Sequence, residues 1–137
     1  MALSPAHRFG QYLGNLLEAL FLPELEGFCA EHGLYLDKHG DRSARKGKKV
    51  TWVDKYENSH DLDFVVEKGG VEGSRGRPLA FIEVAWRRYT KHSKNKAQEI
   101  QGAVVPLSET FHWDMPFKGA VLAGQFTAPS LKQLRFC

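Results

Sequence analysis

The chain has 137 residues, 42% of them hydrophobic and 26% charged, which leaves room for one domain and excludes both a second independent core and a disordered chain. The formal charge of +3 is unevenly spread: residues 37–49 carry +4 and residues 87–96 carry +5, leaving −6 for everything else. Two basic stretches on an otherwise acidic chain point to a polyanionic partner as readily as to two solvated lysine-rich loops.

The first ten residues, MALSPAHRFG, hold no continuous apolar segment of the kind a secretory signal needs, and no run nears the ~18–20 apolar residues that span a bilayer. The expected setting is therefore cytoplasmic, with no membrane partner. Apolar residues at Phe9, Tyr12, Leu13, Leu16, Leu17, Leu20 and Phe21 repeat the i, i+3, i+4, i+7 pattern and predict an amphipathic helix. Pro23 is expected to interrupt it, with a short second helix over 24–31 and a stop at Gly33. Residues 34–36 begin a strand. Segment 37–49, with Gly40 and Gly47 and no apolar pattern, reads as a mobile loop.

Strand-like stretches follow at 50–53, 62–66 and 79–86. The link EKGGVEGSRGRP is rich in glycine and makes the last two the arms of an antiparallel hairpin with a long turn; its GSRG lacks the GxxxxGK[ST] pattern of a phosphate loop. From Ser93, which can cap a helix, the period becomes helical, with a stripe of Ala97, Ile100, Val104, Leu107 and Phe111. Pro106 faces the carbonyl of Gly102, where a kink is tolerable. Residues 119–126 read as a buried strand, and 129–137 start a further helix in which the chain ends, as a truncated domain would. Cys29 and Cys137, without a CxxC or a spaced Cys/His set, read as reduced thiols, so neither a disulfide scaffold nor a zinc site is expected. The order of elements points to an α/β fold with a mixed sheet flanked by helices.

Residues two apart on a strand share a face, so Asp61 and Asp63 are expected to point one way and Leu62, Phe64 and Val66 the other. On the next strand Leu79, Phe81, Glu83 and Ala85 share a face. Glu83 is the sole charge in LAFIEVAW, and burying it is costly unless it is paired. Asp63 on the adjoining arm is the nearest partner, and a divalent cation between the two carboxylates would relieve their repulsion, magnesium suiting such a site better than zinc. A salt bridge from Glu83 to Arg87, and turn roles for Asp61 and Asp63, are the plain alternatives. His60 and His92 have no ligand spacing.

HDLDFVV, the twenty-residue interval from Asp63 to Glu83, FIEVAW and a helix from about Ser93 together resemble the PD-(D/E)xK nuclease core of restriction-endonuclease-like proteins, over about Phe9 to Phe126. The resemblance implies an α-β-β-β-α-β core, Mg2+ (or Mn2+) held by Asp63 and Glu83, and hydrolysis of DNA phosphodiester bonds. Ala85 stands where that pattern has a lysine. Some members supply the amine from the following helix, and at ~100° per residue Lys96 lies about 50° from the centre of the apolar stripe, against about 110° for Lys94. The expected catalytic set is thus Asp63, Glu83 and Lys96. Glu18, Asp61, Gln98, Glu99 and Gln101 are further candidates, with Gln101 preferred among the last three. Arg42, Arg45, Lys46, Lys48 and Lys49 on one side, and Arg87, Arg88, Lys91 and Lys94 on the other, would grip DNA. One core holds one site, so a duplex cut would need two copies, as in a homodimer, or two turnovers. The alternative is a nucleic-acid-binding module on the same fold, with Ala85 the trace of lost cleavage; a weaker one is an α/β domain whose basic loops bind a protein.

Overall fold

The computed structural model of the chain describes residues 5–87, 93–114, 116–124 and 132. Helix α1 runs unbroken over Pro5–His32. Pro23 does not divide it, contrary to expectation: a proline inside a helix gives up one N–H bond, and both Pro23 and Ala19, whose carbonyl loses that partner, are exposed to water. The helix stops where predicted. Gly33 takes φ +65°, a left-handed conformation that glycine adopts without penalty, and the Leu34 N–H closes the end on the Cys29 carbonyl at 2.8 Å.

Strands β1 (Tyr35–Asp37), β2 (Val50–Val53), β3 (Ser59–Leu62), β4 (Phe64–Lys68) and β5 (Arg77–Arg87) precede helix α2 (Ser93–Thr110), a 3-10 turn at His112–Asp114 and strand β6 (Phe117–Gly124). The main sheet has the order β1-β4-β5-β6; β4 is antiparallel to β1 and β5, whereas β6, reached through α2, is parallel to β5. The fold is α/β with a mixed sheet, as expected. A separate ribbon pairs β2 with β3. The single strand expected over 62–66 is two strands broken at Asp63. As a result Leu62 joins the apolar layer under α2, while Phe64 joins the layer under α1, and the expected common face of Leu62 and Phe64 is lost.

The hairpin of β4 and β5 holds its register at Phe64 opposite Ile82 and Val65 opposite Phe81. Alternate residues feed two cores. Phe64, Val66, Ala80, Ile82 and Val84 pack on Leu25 and Cys29 of α1. Val65, Phe81 and Ala85 pack on Ile100, Val104 and Leu107 of α2, with Val50, Trp52 and Leu62 from the ribbon closing that layer. The predicted stripe of α2 is the buried one, and Pro106 sits inside the helix without ending it. Phe111 extends the stripe, its ring 5.5 Å from that of Trp52. The expected helix over 129–137, the Ser93 capping side chain and Cys137 lie outside the described residues. No helix among those described is long and apolar enough to cross a membrane.

The basic segment after β1 is not the free loop its composition suggests. Arg42 turns inward and grips Glu67 with two hydrogen bonds of 2.6 and 3.1 Å, and its Nη1 lies 3.2 Å from Asp37. Arg45 donates to Asp37 at 3.0 and 3.2 Å, and the Trp52 indole donates to the same carboxylate at 3.2 Å. Glu67 also accepts from the Gly76 N–H at 2.7 Å, at a point where any Cβ on residue 76 would collide with the Lys68 carbonyl. Burial opposes the Arg42 charge, yet the hydrogen bonds and charge of Glu67, with Asp37 behind, outweigh it and raise its pKa. Loop, ribbon and hairpin turn are thereby stapled together. Arg42 and Arg45 were expected on the DNA-gripping surface; their guanidinium groups are spent on buried carboxylates.

Candidate metal centre

Asp63 stands at the break between β3 and β4, where the chain leaves the ribbon for the main sheet. Its Oδ2 accepts the Val84 N–H at 2.6 Å, a bond that fixes the carboxylate across the hairpin beside Glu83. Glu83 projects from mid-β5 on the α2 side, is 7% exposed, and its Oε1 is buried with no hydrogen-bond partner among the described residues. Burial, and then the charge of Asp63, push the Glu83 carboxyl up to about 8, with Lys96 pulling the other way. Glu18 of α1 reaches the same place. Burial, followed by the charge of and a hydrogen bond with Asp63, lifts its carboxyl to about 7, again against Lys96.

Four side chains from four separate parts of the chain therefore act on one another: Glu18, Asp63, Glu83 and Lys96. Three of them are acids. Lys96 is largely covered, with one-fifth of its side chain exposed, and its ammonium lies 3.6 Å from Glu99. Ala85, at the position two after Glu83, is buried under α2 and provides no charge.

The remaining candidates fall less close. Asp61 is on the ribbon, bonded to Thr51 at 2.6 Å and 3.7 Å from the Lys49 ammonium; it does not share a strand face with Asp63, because the break intervenes. Glu99 touches the group through Lys96, Gln98 is exposed, and Gln101 is half-buried. Lys46, Lys48 and Lys49 are exposed on the stapled loop. The side chains of Arg87 and Lys94, together with Arg88, Lys91 and His92, lie outside the described residues. His60 is held 2.6 Å from Asp54, which also accepts the Tyr56 and Asn58 N–H groups; burial alone would raise the Asp54 pKa, but these bonds, His60 foremost, lower it. A cleft of about 530 Å³ opens beside Glu18 and Asp63, its wall shared with Asp61, Lys38, His39 and Lys49; Glu83 and Lys96 stand behind that wall and do not line it. The buried network of Asp37, Arg42 and Glu67 was missed in the sequence, where its one signal was an acid ending the apolar run of β4.

Set against protein-family models, curated proteins and solved structures, the chain matches none of them.

Among the described residues no three acids, histidines or cysteines are already closed into a metal-binding cluster. The donor set nonetheless fits a hard divalent cation. Glu83 has a buried oxygen with no partner, and it shares its surroundings with two other carboxyls whose mutual repulsion a cation would relieve. Asp63 and Glu83 are the residues that would hold it, with Glu18 beside them.

The raised carboxyls have a consequence for metal-free protein. Between the ordinary glutamate value and about 8, Glu83 keeps its proton in the fold and loses it on unfolding, so the unfolded state binds fewer protons and stability falls as pH rises through that window. Thermal melts in EDTA are expected to show Tm declining from about pH 5 to about pH 8. Glu83→Gln should flatten most of the decline. An unchanged slope in that variant would place the titration elsewhere.

Proposed function

We propose that the chain is a Mg2+-dependent cytoplasmic endodeoxyribonuclease built on a restriction-endonuclease-like core. The observation that carries this reading is the convergence of Glu18, Asp63, Glu83 and Lys96, with one Glu83 oxygen buried and unpartnered. The topology supports it: α1, the antiparallel run β1-β4-β5, the crossover α2 and the parallel β6 follow the α-β-β-β-α-β order, with the β2-β3 ribbon as an insertion. Mn2+ would suit the same oxygen donors.

A divalent cation bound there supplies Lewis-acid polarisation of the scissile phosphate and a lowered pKa for water. The chain's own residues do the rest. The Val84 N–H fixes Asp63 before substrate arrives, and Glu83 stands buried beside it on β5. Glu18, beside Asp63, narrows the space in which that carboxylate can turn. Lys96 places an ammonium where negative charge develops on the phosphate, the task that Ala85 cannot perform. Lys46, Lys48 and Lys49 contact phosphates from a loop that the Arg42 and Arg45 pairs hold still.

Supercoiled plasmid incubated with Mg2+ should be nicked, and EDTA or Glu83→Ala should abolish the nicking. DNA binding without any cleavage under Mg2+ or Mn2+ would instead favour the binding module, which Ala85 favours on its own. Replacing Lys46, Lys48 and Lys49 by alanine should weaken DNA binding and lower the slope of log K against log salt by about 0.9 for each phosphate no longer neutralised. An unchanged slope would leave this loop a solvated connector.

A further inference from the structure

Helix α1 has two apolar faces. Leu17, Phe21, Leu25 and Cys29 face the sheet. At about 100° per residue, Phe9, Tyr12, Leu16, Leu20, Pro23 and Gly27 fall within one sector about 80° wide, centred about 160° from that core face. The four large side chains in it are between 42% and 66% exposed, and no charged residue interrupts the sector over five turns. A helix apolar on opposite sides is built to be covered on both.

The charges along its borders say by what. Arg8 and Glu26 lie on the same border of the stripe, since eighteen residues are five full turns, and they are about 27 Å apart. Glu24 and Glu31 lie on the other border. When two such helices pair in antiparallel fashion about a two-fold axis, like borders meet, and Arg8 of each copy comes level with Glu26 of the other. Glu26 binds Lys38 through Oε1 at 2.7 Å, and its half-exposed carboxylate has a second oxygen to offer an incoming guanidinium. In a parallel pair unlike borders meet, which sets Glu26 beside acids. The midpoint between Arg8 and Glu26 is Leu17, so Leu16 sits at the axis and Phe9 comes level with the turn between Pro23 and Gly27 of the other copy.

We infer that α1 is the contact between two copies of this chain, packed antiparallel through the Phe9–Tyr12–Leu16–Leu20 stripe with reciprocal Arg8–Glu26 pairs. Asn15 and Ala19, which line the cleft, border the stripe on the Arg8–Glu26 side, so the two clefts open on one side of the pair. On the nuclease reading, that side would meet both strands of a duplex; the pairing itself does not depend on that reading and is measured without DNA or metal.

A single helix pair buries less than the ~1,600 Å² of a standard interface, so association in the micromolar range is expected. Sedimentation of the whole chain should show a monomer–dimer equilibrium at about 1–100 µM. Leu16→Glu, with unchanged circular dichroism, should leave only monomer. Arg8→Glu and Glu26→Arg should each weaken the dimer, and the double variant should restore it. In a Cys137→Ser background, Leu16→Cys should cross-link on oxidation and Phe9→Cys should not. A chain monomeric throughout that range overturns the proposal, as does cross-linking at Phe9 as well as at Leu16, which is the signature of a parallel pair.

Discussion

Arg42→Ala is expected to cost about 3–5 kcal/mol of folding stability, because it leaves buried carboxylates without their cation. The side chains of Arg42, Asp37 and Glu67 are 2%, 1% and 0% exposed, so water cannot replace the missing partner. Arg45 would still hold Asp37 and the Gly76 N–H would still hold Glu67, but neither neutralises Glu67. Arg42→Lys should recover little of the loss, since a point charge cannot donate to both Glu67 oxygens and also to the Val71 and Ser74 carbonyls. Removing both members, as in Arg42→Met with Glu67→Met, should cost less than Arg42→Ala alone. Urea unfolding reads all three; a loss below about 1 kcal/mol for Arg42→Ala would mean that the pair only offsets its own desolvation.

The second large effect is kinetic. Lys96→Ala should slow cleavage about 10²–10³-fold, equivalent to about 2.7–4 kcal/mol of transition-state stabilisation, with Tm and DNA affinity nearly unchanged. The side chain is mostly covered, and its ion pair among the described residues is to an exposed Glu99, so little folding energy depends on it. Moving the amine to the position the PD-(D/E)xK pattern gives it, by Ala85→Lys with Lys96→Ala, meets an obstacle. Ala85 is packed between β5 and α2, and a longer chain there should cost about 1–3 kcal/mol in overpacking. Full cleavage by Lys96→Ala alone would show that no amine from α2 takes part.

The helical stripes and the long β5 were legible because their periods are set by burial alone: Ala97, Ile100, Val104 and Leu107 are the residues packed under the sheet, and Glu83 is the charge among them. The pairing of Asp63 with Glu83 was legible for the same reason, since a buried acid demands something beside it. Three features were not. Pro23 breaks helices only where the freed carbonyl has no water, which depends on tertiary exposure. The turn at Asp63 interrupts a run whose alternation is unbroken in sequence, and only the choice of two different pairing partners for β3 and β4 reveals it. Arg42 and Arg45 look like their lysine neighbours in a charge count, whereas their burial depends on Asp37 and Glu67, contributed by two other strands.

Cys29 lies at the foot of α1, 3% exposed against the sheet, and burial pushes its thiol pKa up. In the closed fold it is therefore a poor nucleophile that no reagent can reach. Alkylation there requires α1 to lift from Phe64 and Ile82, so the labelling rate of the Cys29 peptide, followed by mass spectrometry, is a clock for that detachment and reads the free energy of a local opening rather than of global unfolding. Because α1 carries Glu18 on one side and its exposed apolar stripe on another, the same clock would register any ligand or second copy that pins the helix down.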